Sequence, residues 1–139
     1  MIEGALYIER VSNYFEFLIL EFDFDLVNKE IRGNTFYDVQ YRNMAKVISI
    51  SYENIEDYLL VNIFLLQNGE LPNYDDSTKT INLNRISAFI IPKINNSEFN
   101  ANNEFFSNCL AENTLERKLL KLAKTLRLCL IHLSEWPLY

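Results

Sequence analysis

Lys46-Val-Ile-Ser-Ile-Ser-Tyr52 opens the stretch that decides the fold, which continues to residue 95. In this opening, small residues alternate with larger apolar ones from Ile48 to Tyr52. A period of two is typical of a β-strand with one buried and one wet face. An acidic corner follows, and then Tyr58-Leu-Leu-Val-Asn-Ile-Phe-Leu-Leu66, which is apolar at nearly every position. This second segment predicts a strand that is covered on both faces and lies centrally in a sheet.

Working outward, the residues before this stretch predict two more strands. Two turns, Arg32-Gly33-Asn34-Thr35 and Asn43-Met-Ala45, separate segments of alternating pattern. The predicted strands are about 24–31, 36–42, 46–52 and 57–66. Consecutive strands joined by short turns pair antiparallel, so we expect an antiparallel meander.

Helical patterns flank the meander. Apolar residues at helical spacing predict a first helix from about Leu6 to Phe22. Residues 67–78 are dense in turn formers and predict a loop. From Thr80 to Ile91 the pattern begins with period two and ends at helical spacing, which predicts a short strand giving way to a helix up to Pro92.

The C-terminal part carries the strongest helix signal. Asn113 and Glu116 have capping-box spacing. The apolar stripe that follows consists of Leu115, Leu119, Leu122, Leu126, Cys129, Leu130 and Leu133. Before this helix, the asparagine-rich residues 92–103 predict a mobile connection, followed by a short helix around Glu104–Leu110. We expect Trp136, close to the end of the chain, to be held in the core.

Length and composition limit the possible fold classes. The chain has 139 residues, of which 49% are hydrophobic and 14% aromatic, and this fits one globular domain, 1–139. The pattern predicts an α+β fold with an N-terminal helix, an antiparallel β-meander of four or five strands, and C-terminal helices packed on the sheet. Cys109 and Cys129 form no C-x-x-C motif, so we interpret both as reduced thiols.

Charge and hydropathy favour a cytoplasmic protein. The N-terminus lacks signal-peptide features, and no apolar run reaches the roughly 18–20 residues of a membrane span. The net charge of −6 disfavours binding to nucleic acid or to anionic lipid, because both are polyanions. We therefore expect neither a nucleic-acid partner nor a membrane partner.

The sequence offers few groups for catalysis. His132 is the only histidine, and at the end of the last helix we interpret it as a structural residue that faces solvent or caps the final carbonyls. Cys129 lies three positions earlier, but neither an oxyanion site nor an orienting group accompanies the pair. Asp23-x-Asp25 does not continue into a calcium loop, and the three glycines are too far apart for a phosphate loop. We expect no catalytic residue, metal site or cofactor.

Charge is distributed unevenly along the chain. Residues 1–113 carry 17 acidic and 8 basic side chains, whereas residues 114–139 carry 2 acidic and 5 basic ones. Clustered carboxylates on rigid turns accelerate association with a cationic partner. The predicted partner-binding residues are the acidic corner and the acidic loop, which comprise Glu53, Glu56, Asp57, Asp75 and Asp76. A merely solvated acidic surface is the alternative.

The last helix has a basic face off its leucine stripe. Its members are Arg117, Lys118, Lys121, Lys124 and Arg127. This face is either a solvated surface that favours the helix dipole or a contact with acidic residues of the same fold or of a second copy.

Four segments together resemble a known class of protein. They are Phe15-Glu-Phe-Leu-Ile-Leu-Glu-Phe-Asp-Phe24, Phe36-Tyr-Asp-Val-Gln-Tyr-Arg-Asn43, Val47-Ile-Ser-Ile-Ser-Tyr-Glu53 and Asp57-Tyr-Leu-Leu-Val61. Across about residues 11–90 this layout resembles small bacterial immunity proteins of polymorphic or contact-dependent toxin systems. The resemblance implies a helix leading into an antiparallel sheet, a helical C-terminal part, and a cognate protein toxin as partner.

Two functions from different classes remain open. The first is an immunity-type binding protein that neutralises a cognate toxin, a basic nuclease, by covering its active site with an acidic surface. The second is a non-catalytic structural or homo-oligomeric module. An enzyme and a nucleic-acid-binding protein rank below both, and the oligomeric state is left open.

Overall fold

The computed structural model describes residues 2–137, so Met1, Leu138 and Tyr139 lie outside the described residues. The elements in chain order are α1 (Gly4–Tyr14), α2 (Phe17–Phe22), β1 (Asp25–Arg32), β2 (Phe36–Arg42), β3 (Lys46–Glu53), β4 (Tyr58–Leu65), β5 (Thr80–Asn82), α3 (Leu83–Ile90), α4 (Asn96–Phe105) and α5 (Thr114–Ile131). Short 3-10 helices occupy Ile91–Lys93 and Leu133–Glu135. This is the predicted α+β class.

The described chain divides into two compact units, one ending at Asn82 and the other beginning at Leu83. The first unit holds α1, α2 and the whole sheet, and the second holds α3, α4 and α5. That residues 1–139 form a single domain stays a prediction.

The sheet of the first unit is a five-stranded antiparallel meander in the order β1-β2-β3-β4-β5. The four predicted strands are confirmed, and the short strand before α3 completes the sheet. β4 is an interior strand, paired with β3 along its whole length and with the short β5 on its other side. Its successive residues Val61, Asn62 and Ile63 are all buried, so both faces are covered at its middle, as its apolar run predicts.

Helix α1 packs on one face of the sheet. The ring of Tyr7 lies 5.5 Å from that of Tyr37 and 5.9 Å from that of Tyr52. Its hydroxyl donates a hydrogen bond of 2.9 Å to the carbonyl oxygen of Ile50. Strand neighbours that point the same way, such as Val39, are fully buried. This face is the apolar core of the unit.

The other face of the sheet is polar at its centre. Asp38 and Ser49 lie there on adjacent strands, and the Ser49 hydroxyl donates to Oδ1 of Asp38 at 2.6 Å. Gln40 donates to the second carboxylate oxygen of Asp38 at 2.8 Å. Both oxygens of this buried carboxylate are therefore satisfied, and the group has a structural role.

The predicted first helix is two helices, because the chain turns at Phe15 and Glu16. The Phe15 amide still bonds to Val11, whereas the Glu16 amide reaches back only to Asn13. The break places Phe15 and Phe17, which are two positions apart, both in the core. One continuous helix would point them about 200° apart.

In the second unit, the predicted Asn113 cap and last helix are confirmed, although the Glu116 carboxylate accepts from the Glu112 amide rather than from the Asn113 amide of a full capping box. Oδ1 of Asn113 accepts from the Glu116 amide at 2.8 Å, and α5 begins at the next residue, Thr114. Trp136 is buried and its ring packs edge-on against Phe89 at 5.7 Å, as expected for a core residue.

The mobile connection predicted for residues 92–103 is wrong, because most of this segment is helix α4. Asn95 is its N-cap and accepts from the Glu98 amide at 2.9 Å. Asn102 is buried and donates to the carbonyl oxygen of Lys124 at 3.0 Å. Capping and tertiary hydrogen bonds thus offset the low helix propensity of asparagine. The helix ends at Phe105, before most of the predicted Glu104–Leu110 helix.

Candidate partner-binding surface

The acidic corner is the turn between β3 and β4, residues 54–57, which we call the β3–β4 turn. Asn54 anchors it and is 7% exposed. Its side-chain Nδ2 lies 2.9 Å from the Ile2 carbonyl oxygen, 2.8 Å from that of Asn34 and 2.9 Å from the Tyr37 hydroxyl. These contacts join the turn to the N-terminus and to the β1–β2 turn. Asn54 therefore anchors the β3–β4 turn to two other segments of the first unit.

The far side of the turn is held by a second contact. Asp57 adopts a left-handed backbone with φ of 52°, and its Oδ1 accepts a hydrogen bond of 2.7 Å from the Tyr52 hydroxyl. Burial, and then this bond to Asp57, raise the pKa of Tyr52 to about 12. The hydroxyl therefore stays protonated and keeps donating at neutral pH. Part of the predicted binding carboxylate of Asp57 is thus committed to the fold.

Between these two anchors, the turn presents apolar and acidic groups to solvent. Ile55 is 69% exposed and precedes the exposed Glu56, and Tyr58, the first residue of β4, is 55% exposed just beyond the turn. Glu53, half-buried at the end of β3, stands opposite Tyr58 in the register. Aromatic anchors beside charged groups are common where proteins bind proteins. The charge pattern indicates the acids but not Ile55 and Tyr58, although one residue lies within the acidic run and the other directly after it.

The other predicted acids, Asp75 and Asp76, lie in the long loop before β5. Asp75 is exposed. Oδ1 of Asp76 accepts from the Thr78 hydroxyl at 2.6 Å and from the Thr78 amide at 3.0 Å. The hydroxyl bond of Thr78, followed by its amide bond, lowers the pKa of Asp76. Asp76 thus stabilises the turn that leads into β5.

The two predicted acidic clusters do not meet. The β3–β4 turn precedes the first residue of β4, Tyr58, and the loop with Asp75 follows its last residue, Leu65. Eight strand residues span about 25 Å at roughly 3.3 Å per residue. The structure therefore separates Glu53, Glu56 and Asp57 from Asp75 and Asp76 into two surfaces at opposite ends of the sheet.

The residues considered for catalysis have structural environments. Cys129 is fully buried, and burial raises its pKa to about 12, which disfavours a thiolate nucleophile. The two ring nitrogens of His132 each lie 2.5 Å from a carboxylate oxygen, Nε2 from Glu98 and Nδ1 from Glu135. His132 therefore bonds to side-chain carboxylates rather than to the final carbonyls of α5.

The basic face of α5 is partly used inside the second unit. Arg127 donates to Oδ1 of Asn102 at 2.8 Å, and its guanidinium lies 3.9 Å from the centre of the Phe105 ring. Arg117, Lys118 and Lys121 are exposed. The face is thus divided between a contact with α4 and a solvated part.

Among residues 2–137, no group of three or more His, Cys, Asp or Glu side chains is arranged to hold a metal ion. No helix of this part of the chain is long and apolar enough to cross a lipid bilayer.

No protein-family model matches the chain, and no curated protein or solved structure matches it significantly. The resemblance to immunity proteins therefore stays a prediction that rests on the residue pattern alone.

Proposed function

We propose that this chain is a non-catalytic binding protein of the immunity type, which neutralises a cognate cationic protein toxin by direct contact. The observation that supports this function is the anchored β3–β4 turn, which holds Ile55 and Glu56 in solvent beside Tyr58. A preorganised surface loses little conformational entropy on binding. Its carboxylates would steer a basic partner, such as a nuclease, towards the aromatic and aliphatic anchors.

The first test is protection in cells. The chain is co-expressed with the polypeptide encoded by the adjacent reading frame, which is the expected toxin. Growth should be restored by the wild-type chain and lost again with Glu53→Lys/Glu56→Lys. Unprotected growth with a well-expressed, folded wild-type chain would argue against this function.

The second test measures association rates with two matched charge reversals. Glu53→Lys/Glu56→Lys changes the β3–β4 turn, and Glu70→Lys/Asp75→Lys makes the same change in charge near the far end of β4. Steering by the β3–β4 turn predicts that the first variant associates about tenfold more slowly at low salt, with a weaker salt dependence, whereas the second is nearly unchanged. Equal association rates for both variants and the wild-type chain would contradict the proposal.

A further inference from the structure

Strand β1 is a long edge of the sheet. It pairs with β2 on one side only, and its eight residues, Asp25–Arg32, extend over the full length of β2. Val27 is 52% exposed and Ile31 is 49% exposed. An edge strand presents the backbone N–H and C=O groups of alternate residues outward, and another strand can pair with them. Proteins usually shorten or cover such edges, or protect them with charged residues such as lysine and with β-bulges. Strand β1 is neither short nor covered by another strand, but it carries both Lys29 and a bulge at Val27.

A β-bulge at Val27 sets which side chains of β1 share a face. Asp25 pairs with Arg42 and Arg32 pairs with Phe36, and these two partners are six residues apart on β2. Because side chains alternate along a strand, Asp25 and Arg32 lie on the same face of the sheet. Without the extra residue in the bulge they would lie on opposite faces.

The same reasoning applies to the other face of β1. Leu26 pairs with Tyr41 and Ile31 pairs with Tyr37, and these partners are four residues apart on β2. Leu26 and Ile31 therefore share a face as well. With the bulge counted as one position, β1 has an acid at one end, a base at the other, and an aliphatic residue next to each.

The order of side chains along β1 is complementary to that of a second β1 strand running antiparallel to it. An antiparallel copy of β1 placed along the outer edge, with the two-fold axis at Lys29, brings Asp25 opposite Arg32 of the second copy. It brings Leu26 opposite Ile31 of the second copy. We propose that the outer edge of β1 is a docking site for β1 of a second copy of this chain, which would join two sheets into one of ten strands.

A groove at the start of β1 fits the arginine of the second copy. It has a volume of about 450 Å³ and is lined by Asp23, Asp25, Val27, Arg42, Asn43, Met44 and Gly69. The carboxylates of Asp23 and Asp25 would attract a guanidinium, whereas Arg42, which lies opposite Asp25 in the same lining, offsets part of their charge. Val27 and the 97% exposed Met44 would cover the aliphatic stem. The Arg32 side chain is 68% exposed, so it can reach outward.

Lys29 opposes this pairing and limits its strength. It stands at the two-fold axis, where two ammonium groups would face each other. A single strand pair also makes a small interface. The dimer is therefore an equilibrium that depends on protein concentration, and it weakens as salt screens the Asp25–Arg32 pairs.

Sedimentation velocity of four variants tests the proposal between about 1 µM and about 1 mM protein. The wild-type chain should dimerise within this range. Arg32→Asp and Asp25→Arg should each weaken the dimer at least about tenfold, and the exchange Asp25→Arg/Arg32→Asp should restore it. Lys29→Thr should strengthen the dimer, because it removes the like charges at the axis.

Arg32 also pairs with Glu30 and lies over the Phe36 ring at 4.9 Å within one chain, so the thermal unfolding of each variant is compared with the wild-type chain. A monomer over the whole range overturns the proposal. So does a dimer that Arg32→Asp leaves unchanged, or one that the charge exchange fails to restore. The inference does not rest on the proposed function, and Glu53→Lys/Glu56→Lys should leave the dimer intact.

Discussion

Asn54 shows how one side chain can fix a surface. It is buried, and its amide contacts three acceptors that belong to residues 17, 20 and 52 positions away. In the sequence it is one more polar residue in an acidic turn. The partners are distant along the chain, so pattern reading could place the turn and its acids but could not identify the anchor.

We expect Asn54→Ala to destabilise the chain by about 1–3 kcal/mol, because it removes the hydrogen bonds that join the turn to the Ile2 and Asn34 carbonyl oxygens and to the buried Tyr37 hydroxyl. Asn34→Ala is the matched control: Asn34 offers its carbonyl oxygen to Asn54, and its side chain is exposed. The free energy of unfolding is measured by urea denaturation of the two variants and the wild-type chain. Similar losses in both variants would contradict the anchoring role of Asn54.

At the scale of elements, patterns among residues close together in the sequence predicted helices and strands well. Contacts between residues far apart in the sequence leave no such pattern and could not be predicted. The cap of α5 was found because Asn113 and Glu116 are three residues apart and bond to each other's backbone or side chain. Helix α4 was missed although Asn95 and Glu98 have the same capping spacing, because its asparagines have low helix propensity. The hydrogen bonds of Asn102 to Lys124 and Arg127, which offset this propensity, reach into α5 and leave no local pattern. The β1 bulge was also missed, since it is a property of the pairing with β2 and has no pattern of its own.

His132 connects α4 to the end of the chain, and its titration should be visible in stability. The hydrogen bond to Glu98 is the largest cause that raises the pKa of His132 above its ordinary value of 6.5. Burial, the next largest, lowers it, and the hydrogen bond to Glu135 raises it further. A raised pKa means that the imidazolium stabilises the folded state. This contribution is complete below the unfolded-state pKa and is lost as pH rises through the folded-state pKa.

The stability difference between the wild-type chain and His132→Gln should therefore be largest near pH 6 and shrink towards pH 9. Partly exposed pairs of this kind stabilise by about 0.2–1 kcal/mol each, so the difference is of that order. Urea midpoints across this range measure it. Glu98→Gln should reduce the pH dependence, and a difference that grows with pH would contradict the assignment.

At the scale of the whole molecule, composition and periodicity were enough to predict the fold class but not the number of compact units. Nothing in the sequence marks the boundary at Asn82, because the chain passes from β5 into α3 without a linker. The single-domain prediction implies that the sheet and the C-terminal helices unfold in one step.

Trp136, the only tryptophan, is buried in the second unit and reports on that unit by fluorescence. The infrared band of β-strands reports on the first unit, which holds the whole sheet. If the chain is one domain, both signals should change at the same urea concentration within error. Two separate midpoints would show that the units unfold independently.

The order of the strands in the sheet follows their order along the chain. Each strand therefore finds its neighbour across a short connection, apart from the longer loop before β5, and loop closure costs little entropy at each step. Hairpins can be added one after another as the polypeptide leaves the ribosome. Until β2 has been synthesised, however, β1 has no strand to pair with. Both edges of β1 are then exposed to other nascent chains on the same mRNA.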